Sequence, residues 1–436
     1  MTFAAFPRAA GAALLCAGLA APMADADTWS FDQKLTADDG AAFDDFGSSV
    51  ALFGTTALVG ARFDDDNGAD SGSAYLFDTT TGTQLHKLTA SDGAAGDRFG
   101  LRVALSGSTA LVGASADDDN GVNSGSAYLF DTTTGTQLRK LTAPDGAALD
   151  SFGGFVALSG TTALVGAVGD DENGIATGSA YLFDTTTGDP LHKLTAPDGA
   201  AYDFFGSVAL SGTTALVGAK GGDGNAIDSG AAYLFDTKTG DLLRKLTAPD
   251  GAAGDWFGIS VALSGSTALV GARLDDDDRS NSGSAYLFDT TTGNLLHKLT
   301  APDGAVSDEF GTSVALFGTT ALVSSLSDDN NGVNSGAVYL FDTTTGSFVQ
   351  KLTAPDGAAL DYFGSSVALS DTTALVGARL DDDNGNASGS AYVFYHDPAS
   401  IPPPAAAPIP LPAPAWMLLS GLGLLALHRR RARPTA

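Results

Sequence analysis

Residues 87–139 read KLTASDGAAGDRFGLRVALSGSTALVGASADDDNGVNSGSAYLFDTTTGTQLR, and at Lys140 the same run begins again. KLTA occurs at Lys34, Lys87, Lys140, Lys193, Lys245, Lys298 and Lys351, a spacing of 53 residues interrupted by a single 52. A period of this length signals a propeller, a solenoid or an array. Within the first full copy, Ser49–Leu52 and Thr56–Ala61 are apolar runs joined by Phe53-Gly54, which in most copies is Ser-Gly. A two-residue connector ending in glycine between such runs makes a tight hairpin. Ser73–Phe77 is a third run, and Asp-Thr-Thr-Thr-Gly leads into a fourth, Gln84–Ala90. No window sustains a 3.6-residue period, so no helix is expected in the repeats.

Four antiparallel strands per unit make a propeller blade. The repeat region opens with a fourth strand alone, Trp29–Thr36, and closes after a third strand alone, Ser390–Phe394. The expected fold is therefore all-β, a seven-bladed β-propeller of four-stranded antiparallel blades. In it the N-terminal strand completes the last blade, which pairs two edges that would otherwise invite aggregation.

The chain has 436 residues, 44% of them apolar, and a formal net charge of −29. Its acid is nearly all aspartate, since Glu172 and Glu309 are the only glutamates. Nucleic acid is excluded as a partner, because affinity for it comes largely from Lys and Arg neutralising phosphates. Arg8, the apolar run Ala9–Ala21 and the small-residue site Ala24-Asp25-Ala26 read as a secretory signal, residues 1–26, cut after Ala26. The single cysteine, Cys16, lies inside it, and Leu15 before it is not the small residue a lipoprotein would carry. The propeller then spans 27–398, a Pro/Ala-rich spacer 399–409, and a separate C-terminal segment 410–436.

Phe-Gly at the start and Gly-Ala at the end of the first hairpin recur as Phe46-Gly47 with Gly60-Ala61, Phe99-Gly100 with Gly113-Ala114, Phe152-Gly153 with Gly166-Ala167, Phe205-Gly206 with Gly218-Ala219, Phe257-Gly258 with Gly271-Ala272, and Phe363-Gly364 with Gly377-Ala378. The pattern resembles the FG-GAP repeat of integrin α-chain propellers, in the form common in bacterial secreted proteins. The sixth copy departs, keeping Phe310-Gly311 but reading Ser324-Ser325. Phenylalanine can wedge between blades while Gly and Ala let inner strands crowd the axis, so these positions read as structural.

Pro410-Leu411-Pro412, the apolar run to Leu427 and Arg429-Arg430-Arg431 resemble the PEP-CTERM sorting signal of exosortase-bearing Gram-negative bacteria, with Leu411 where the name implies glutamate. That resemblance implies a transient inner-membrane anchor, cut by an exosortase-type enzyme during delivery to the cell surface or extracellular matrix. The apolar run is about 15 residues, short of the ~20 that a comfortable span needs, and a permanent tail anchor is the alternative. Contact with membrane is expected only there.

Two aspartate-bearing connectors per blade emerge on one face of the disc, the opposite face holding neutral turns. One joins blades, as in Asp145-Gly146 with Asp150. The other joins the second strand to the third and supplies a candidate metal-ligand set: Asp64, Asp66 and Asn67; Asp117, Asp119 and Asn120; Asp170, Glu172 and Asn173; Asp275 and Asp277; Asp328 and Asn330; Asp381, Asp383 and Asn384. Alternating Asp and Asn around Gly suits Ca²⁺, which takes six to eight oxygens; plain solvated turns are the rival reading. Integrin-type Ca²⁺ loops lie inside the first hairpin, where this chain has two turn residues, so the family's metal site does not carry over. Blade four breaks the pattern with Gly221-Gly222-Asp223-Gly224-Asn225. Catalysis finds no support, because His86, His192 and His297 share one repeating place with Arg139, Arg244, Gln33 and Gln350. The expected function is an exported surface or matrix module that binds a polysaccharide or cell-surface protein in adhesion, the alternative being a purely architectural matrix component.

Overall fold

The most apolar segment of each copy, Thr-Ala-Leu-Val-Gly-Ala, becomes the second strand of a blade and is buried on both faces, because a neighbouring blade covers each side. The third strand, Ser-Ala-Tyr-Leu-Phe-Asp, is equally buried, whereas the fourth, such as Thr83–Leu88, alternates toward solvent. The computed structural model describes residues 28–276 and 279–396. The expected signal peptide, the spacer, the C-terminal segment and Asp277 lie outside the described residues. Those described form 28 strands in seven four-stranded sheets, with no helix among them. The expected seven-bladed architecture is what the chain adopts.

In blade one the inner strand Phe46–Phe53 pairs with Thr56–Ala61, that strand with Ser73–Asp78, and that in turn with Thr83–Leu88. The inner strand bulges between Phe46 and Ser49, lengthening it two to three residues beyond the apolar run. Phe46 is buried between blades, T-shaped against Tyr75 and Phe77 of its own blade and packed with Leu375 and Val393 of blade seven. Gly60 explains the Gly-Ala motif: a Cβ there would lie 2.0 Å from the carbonyl oxygen of Gly100 on the next blade. In blade six the serine at this place, Ser324, accepts a hydrogen bond from the Ser313 backbone N–H at 2.9 Å.

Ring closure follows the register read from the termini. Trp29–Leu35 pairs antiparallel with Ser390–His396, Lys34 opposite Tyr392, which repeats the Tyr75–Lys87 pairing inside blade one. Trp29 stacks on His396 at 5.2 Å, and its backbone N–H and C=O are both held by the Gln350 amide of blade six. The position shared by His, Arg and Gln is less indifferent than the sequence suggested. His86 Nε2 lies 3.1 Å from the Thr133 carbonyl, His192 Nε2 3.0 Å from that of Lys238, and Arg139 reaches Thr186 O. What these side chains share is a terminal N–H that latches the outer turn of the next blade.

Candidate functional site

The fourth-strand lysine stands across the ladder from the third-strand tyrosine, and the two connectors fold over both. In blade one Lys87 Nζ lies 2.7 Å from Asp39 and 3.1 Å from Asp64, and it also pairs with Asp66. The Tyr75 hydroxyl sits 2.7 Å from Asp64 Oδ2 and 3.0 Å from Asp39 Oδ1, and Ser73 Oγ donates to Asp64 at 3.0 Å. Burial alone would lower the ammonium's pKa, but the hydrogen bonds it donates to Asp39, Asp66 and Asp64 outweigh it and hold Lys87 well above its ordinary value. Burial and the Asp64 charge push the Tyr75 hydroxyl far up. Against its own burial, Asp39 is held low by Lys87.

The centre recurs around the ring. Lys140 meets Asp92, Asp117 and Asp119; Lys193 meets Asp145, Asp170 and Glu172; Lys298 meets Asp250 and Asp275; Lys351 meets Asp303 and Asp328. In blade seven the lysine comes from the closing strand, Lys34 with Asp356, Asp381 and Asp383. Asn330 replaces the third carboxylate in blade six and donates to Asp303 at 3.1 Å. Blade four lacks two of the three carboxylates, having Gly222 and Gly224 in those places, yet Lys245 keeps its position, 2.6 Å from Asp198.

The structure thus brings most candidate metal ligands together, around an ammonium. The buried set Asp64, Asp117, Asp170, Asp275, Asp328 and Asp381 bonds to tyrosine and lysine. Asn67, Asn120 and Asn384 instead shape the loop, each backbone N–H held by the Oγ of a serine four residues on, and Asn173 lies exposed in its turn. As a Ca²⁺ site the donor set does not fit, because a divalent ion among these oxygens would stand beside a fixed positive charge.

A second aspartate in each blade-entry turn caps the chain. Asp44 Oδ2 accepts the Ala41 N–H at 2.7 Å, as Asp97 does from Ala94 and Asp150 from Ala147. Burial pushes Asp44 up to about 6, against its backbone bond and with the charge of Asp64 adding to the rise.

The FG-GAP repeat matches the chain seven times, over 29–77, 83–130, 136–183, 191–235, 242–288, 294–341 and 347–394. The chain belongs to the FG-GAP repeat family. Among curated proteins none matches it. Each FG-GAP match runs from a fourth strand through the next blade's third, the same offset by which the terminal strands complete the ring.

The axis of this FG-GAP propeller places a basic centre within the ring of aspartate-bearing connectors. Arg62, Arg102, Arg273 and Arg379 line a cavity of about 360 Å³ there, and no carboxylate lines it. Three of them occupy the position after Gly-Ala, which around the ring reads Arg62, Ser115, Val168, Lys220, Arg273, Leu326 and Arg379. The residue before Phe-Gly is as varied: Asp45, Arg98, Ser151, Phe204, Trp256, Glu309 and Tyr362. All seven of these hold a left-handed backbone, φ between 52° and 60°. Aligning the copies and looking for columns that differ, instead of columns that agree, finds this site from sequence.

Proposed function

We propose that this chain is a non-catalytic binding module, exported to the cell surface or extracellular matrix, whose connector face engages a surface polysaccharide or a cell-surface protein. Membership of the FG-GAP family supports the class. The observation that carries the reading is the distribution of difference: frame residues barely change between blades, while the two columns flanking Phe-Gly and Gly-Ala vary around the ring, and four residues of the second column, Arg62, Arg273, Leu326 and Arg379, line one end of the axis. A purely architectural ring has no use for such diversity at one mouth. Ca²⁺ takes no structural part in this reading, since Lys87 and its equivalents already supply the counter-charge. The N-terminal signal-like segment and the C-terminal segment resembling a sorting signal support export and at least a transient inner-membrane anchor, released by an exosortase-type enzyme.

The test is genetic and topological. Surface labelling of the intact producing cell should reach the propeller, and loss of the gene should reduce attachment of cells to one another or to matrix. A chain retained in the cytoplasm, or attachment indifferent to its loss, would sink the proposal.

A further inference from the structure

Four guanidinium groups in one small cavity repel one another, and in a chain of net charge −29 nothing about composition puts them there by default. Arg62 is paired with Asp45 at 2.7 Å, and Arg273 approaches Glu309 only to 3.8 Å. Arg102 is hydrogen-bonded to its neighbour's carbonyl, Leu101 O, at 3.0 Å. The Nε atoms of Arg273 and Arg379 are buried with no hydrogen-bond partner among the described residues. A buried donor left unmade costs stability that a ligand's oxygen would recover. Burial, and then the charges of Arg62 and Arg379, draw Arg102 down to about 10. Arg102 is partly buried, and its side chain lines the cavity.

Aromatic faces alternate with the cations at the rim. Arg273 lies 4.9 Å from the Trp256 ring centre, Lys220 4.8 Å from the same ring and 4.9 Å from Phe204, and Arg379 5.5 Å from Tyr362. Inside, serines from five blades line the cavity, the hydroxyls of Ser48, Ser260 and Ser365 donating to backbone carbonyls. Ser313 and Ser366 each accept a backbone N–H from an adjacent inner strand, which leaves the hydroxyl proton free to donate. Guanidinium matches carboxylate in a two-pronged geometry, hydroxyls match a polyhydroxylated ligand, and aromatic rings offer apolar faces to sugar rings. A bare phosphate or an acidic side chain would use the first of these and waste the others.

We propose that the axial cavity on the connector face, built by Arg62, Arg102, Arg273 and Arg379 with Trp256 and Tyr362 at its rim, binds a uronate-bearing acidic polysaccharide. This site rests on the reading of the chain as a surface binding module and names its ligand class. The negative periphery of the same face then selects against ligands that present dense charge over a wide area, so a single carboxylated sugar or short chain end enters where a polyanionic sheet would be repelled.

Titration calorimetry of the full-length chain with trigalacturonate tests this, alongside neutral trigalactose and short polyglutamate. Trigalacturonate should bind, more weakly as salt rises, and should raise the melting temperature; trigalactose should not. R102Q/R379Q should weaken binding at least tenfold and melt no lower than the parent, because it removes two mutually repelling charges. Absence of trigalacturonate binding, equal binding by R102Q/R379Q, or polyglutamate binding as tightly as trigalacturonate would each overturn the site. A chain that still supports cell attachment while binding no uronate overturns this ligand and leaves the surface-module reading standing.

Discussion

Lys140 shows what a single repeated residue does. Its ammonium lies among Asp92, Asp117 and Asp119, with Asp117 buried and the other two about half exposed. Breaking a fully buried pair costs about 3–5 kcal/mol and an exposed one below about 1 kcal/mol, so K140M should lose about 2 kcal/mol in chemical denaturation. Its stranded carboxylates should then take up a divalent ion. The melting temperature of K140M is expected to rise when millimolar Ca²⁺ replaces chelator, and that of the parent is not; a parent that gains several degrees with Ca²⁺ would refute the lysine as counter-ion. Sequence displayed this lysine seven times, but only as a spacing mark, because its role depends on the strand register that sets Lys140 opposite Tyr128. Acidic loops announce themselves in one dimension, whereas the cation that answers them comes from a strand 23 residues away from Asp117.

Strands and their order were readable because local signals agree with the fold: apolar runs bounded by Gly turns, a constant period, and half-blades at the two ends. Extra residues at the inner-strand start escaped, since the bulge after Phe46 pairs a turn-like Phe-Gly that carries no alternation. The latch formed by His86, His192 and Arg139 also escaped, because side chains so different in size share only a hydrogen-bond donor. Closure is the element on which the ring depends. Trp29 is buried, stacked on His396 and clamped by Gln350, so Trp29→Ala should cost about 3 kcal/mol and raise the chain's tendency to self-associate through the freed edge of Ser390–His396. Light scattering with denaturant unfolding would show both, and an unaltered midpoint would contradict closure by this strand. Gly60→Ala attacks the contact between blades: with a carbonyl oxygen 2.0 Å from the new methyl, overpacking should cost about 2–3 kcal/mol, and a midpoint within error of the parent would show that the blades can part there.

Across the whole ring, two classes of aspartate titrate in opposite senses and set the pH at which the molecule is most stable. Asp44, Asp97, Asp150, Asp203, Asp308 and Asp361 are raised, burial being the largest cause in each, with Asp44 reaching about 6. For a raised group the folded state takes its proton first, so its contribution is complete below the unfolded value near 4 and is lost as pH rises through the folded value. Asp39, Asp92, Asp145, Asp198, Asp303 and Asp356 are lowered, against their own burial, by the lysine and tyrosine beside them, Asp303 to about 2. Their contribution is present above the unfolded value and disappears as pH falls toward 2. Stability should therefore climb from pH 7.5 to a maximum between about 4 and 5, then fall steeply below pH 3. Self-repulsion at a net charge of −29 pushes the neutral side the same way, but it acts at long range and is screened by salt. The gain on acidification should thus shrink in 0.5 M salt without vanishing, because short-range burial of Asp44 and its equivalents is unaffected. Denaturant midpoints at pH 3, 5, 7.5 and 9, at low and high salt, separate the two causes; a midpoint that rises steadily from pH 5 to 9 would show that the entry-turn aspartates are held ionised at no cost.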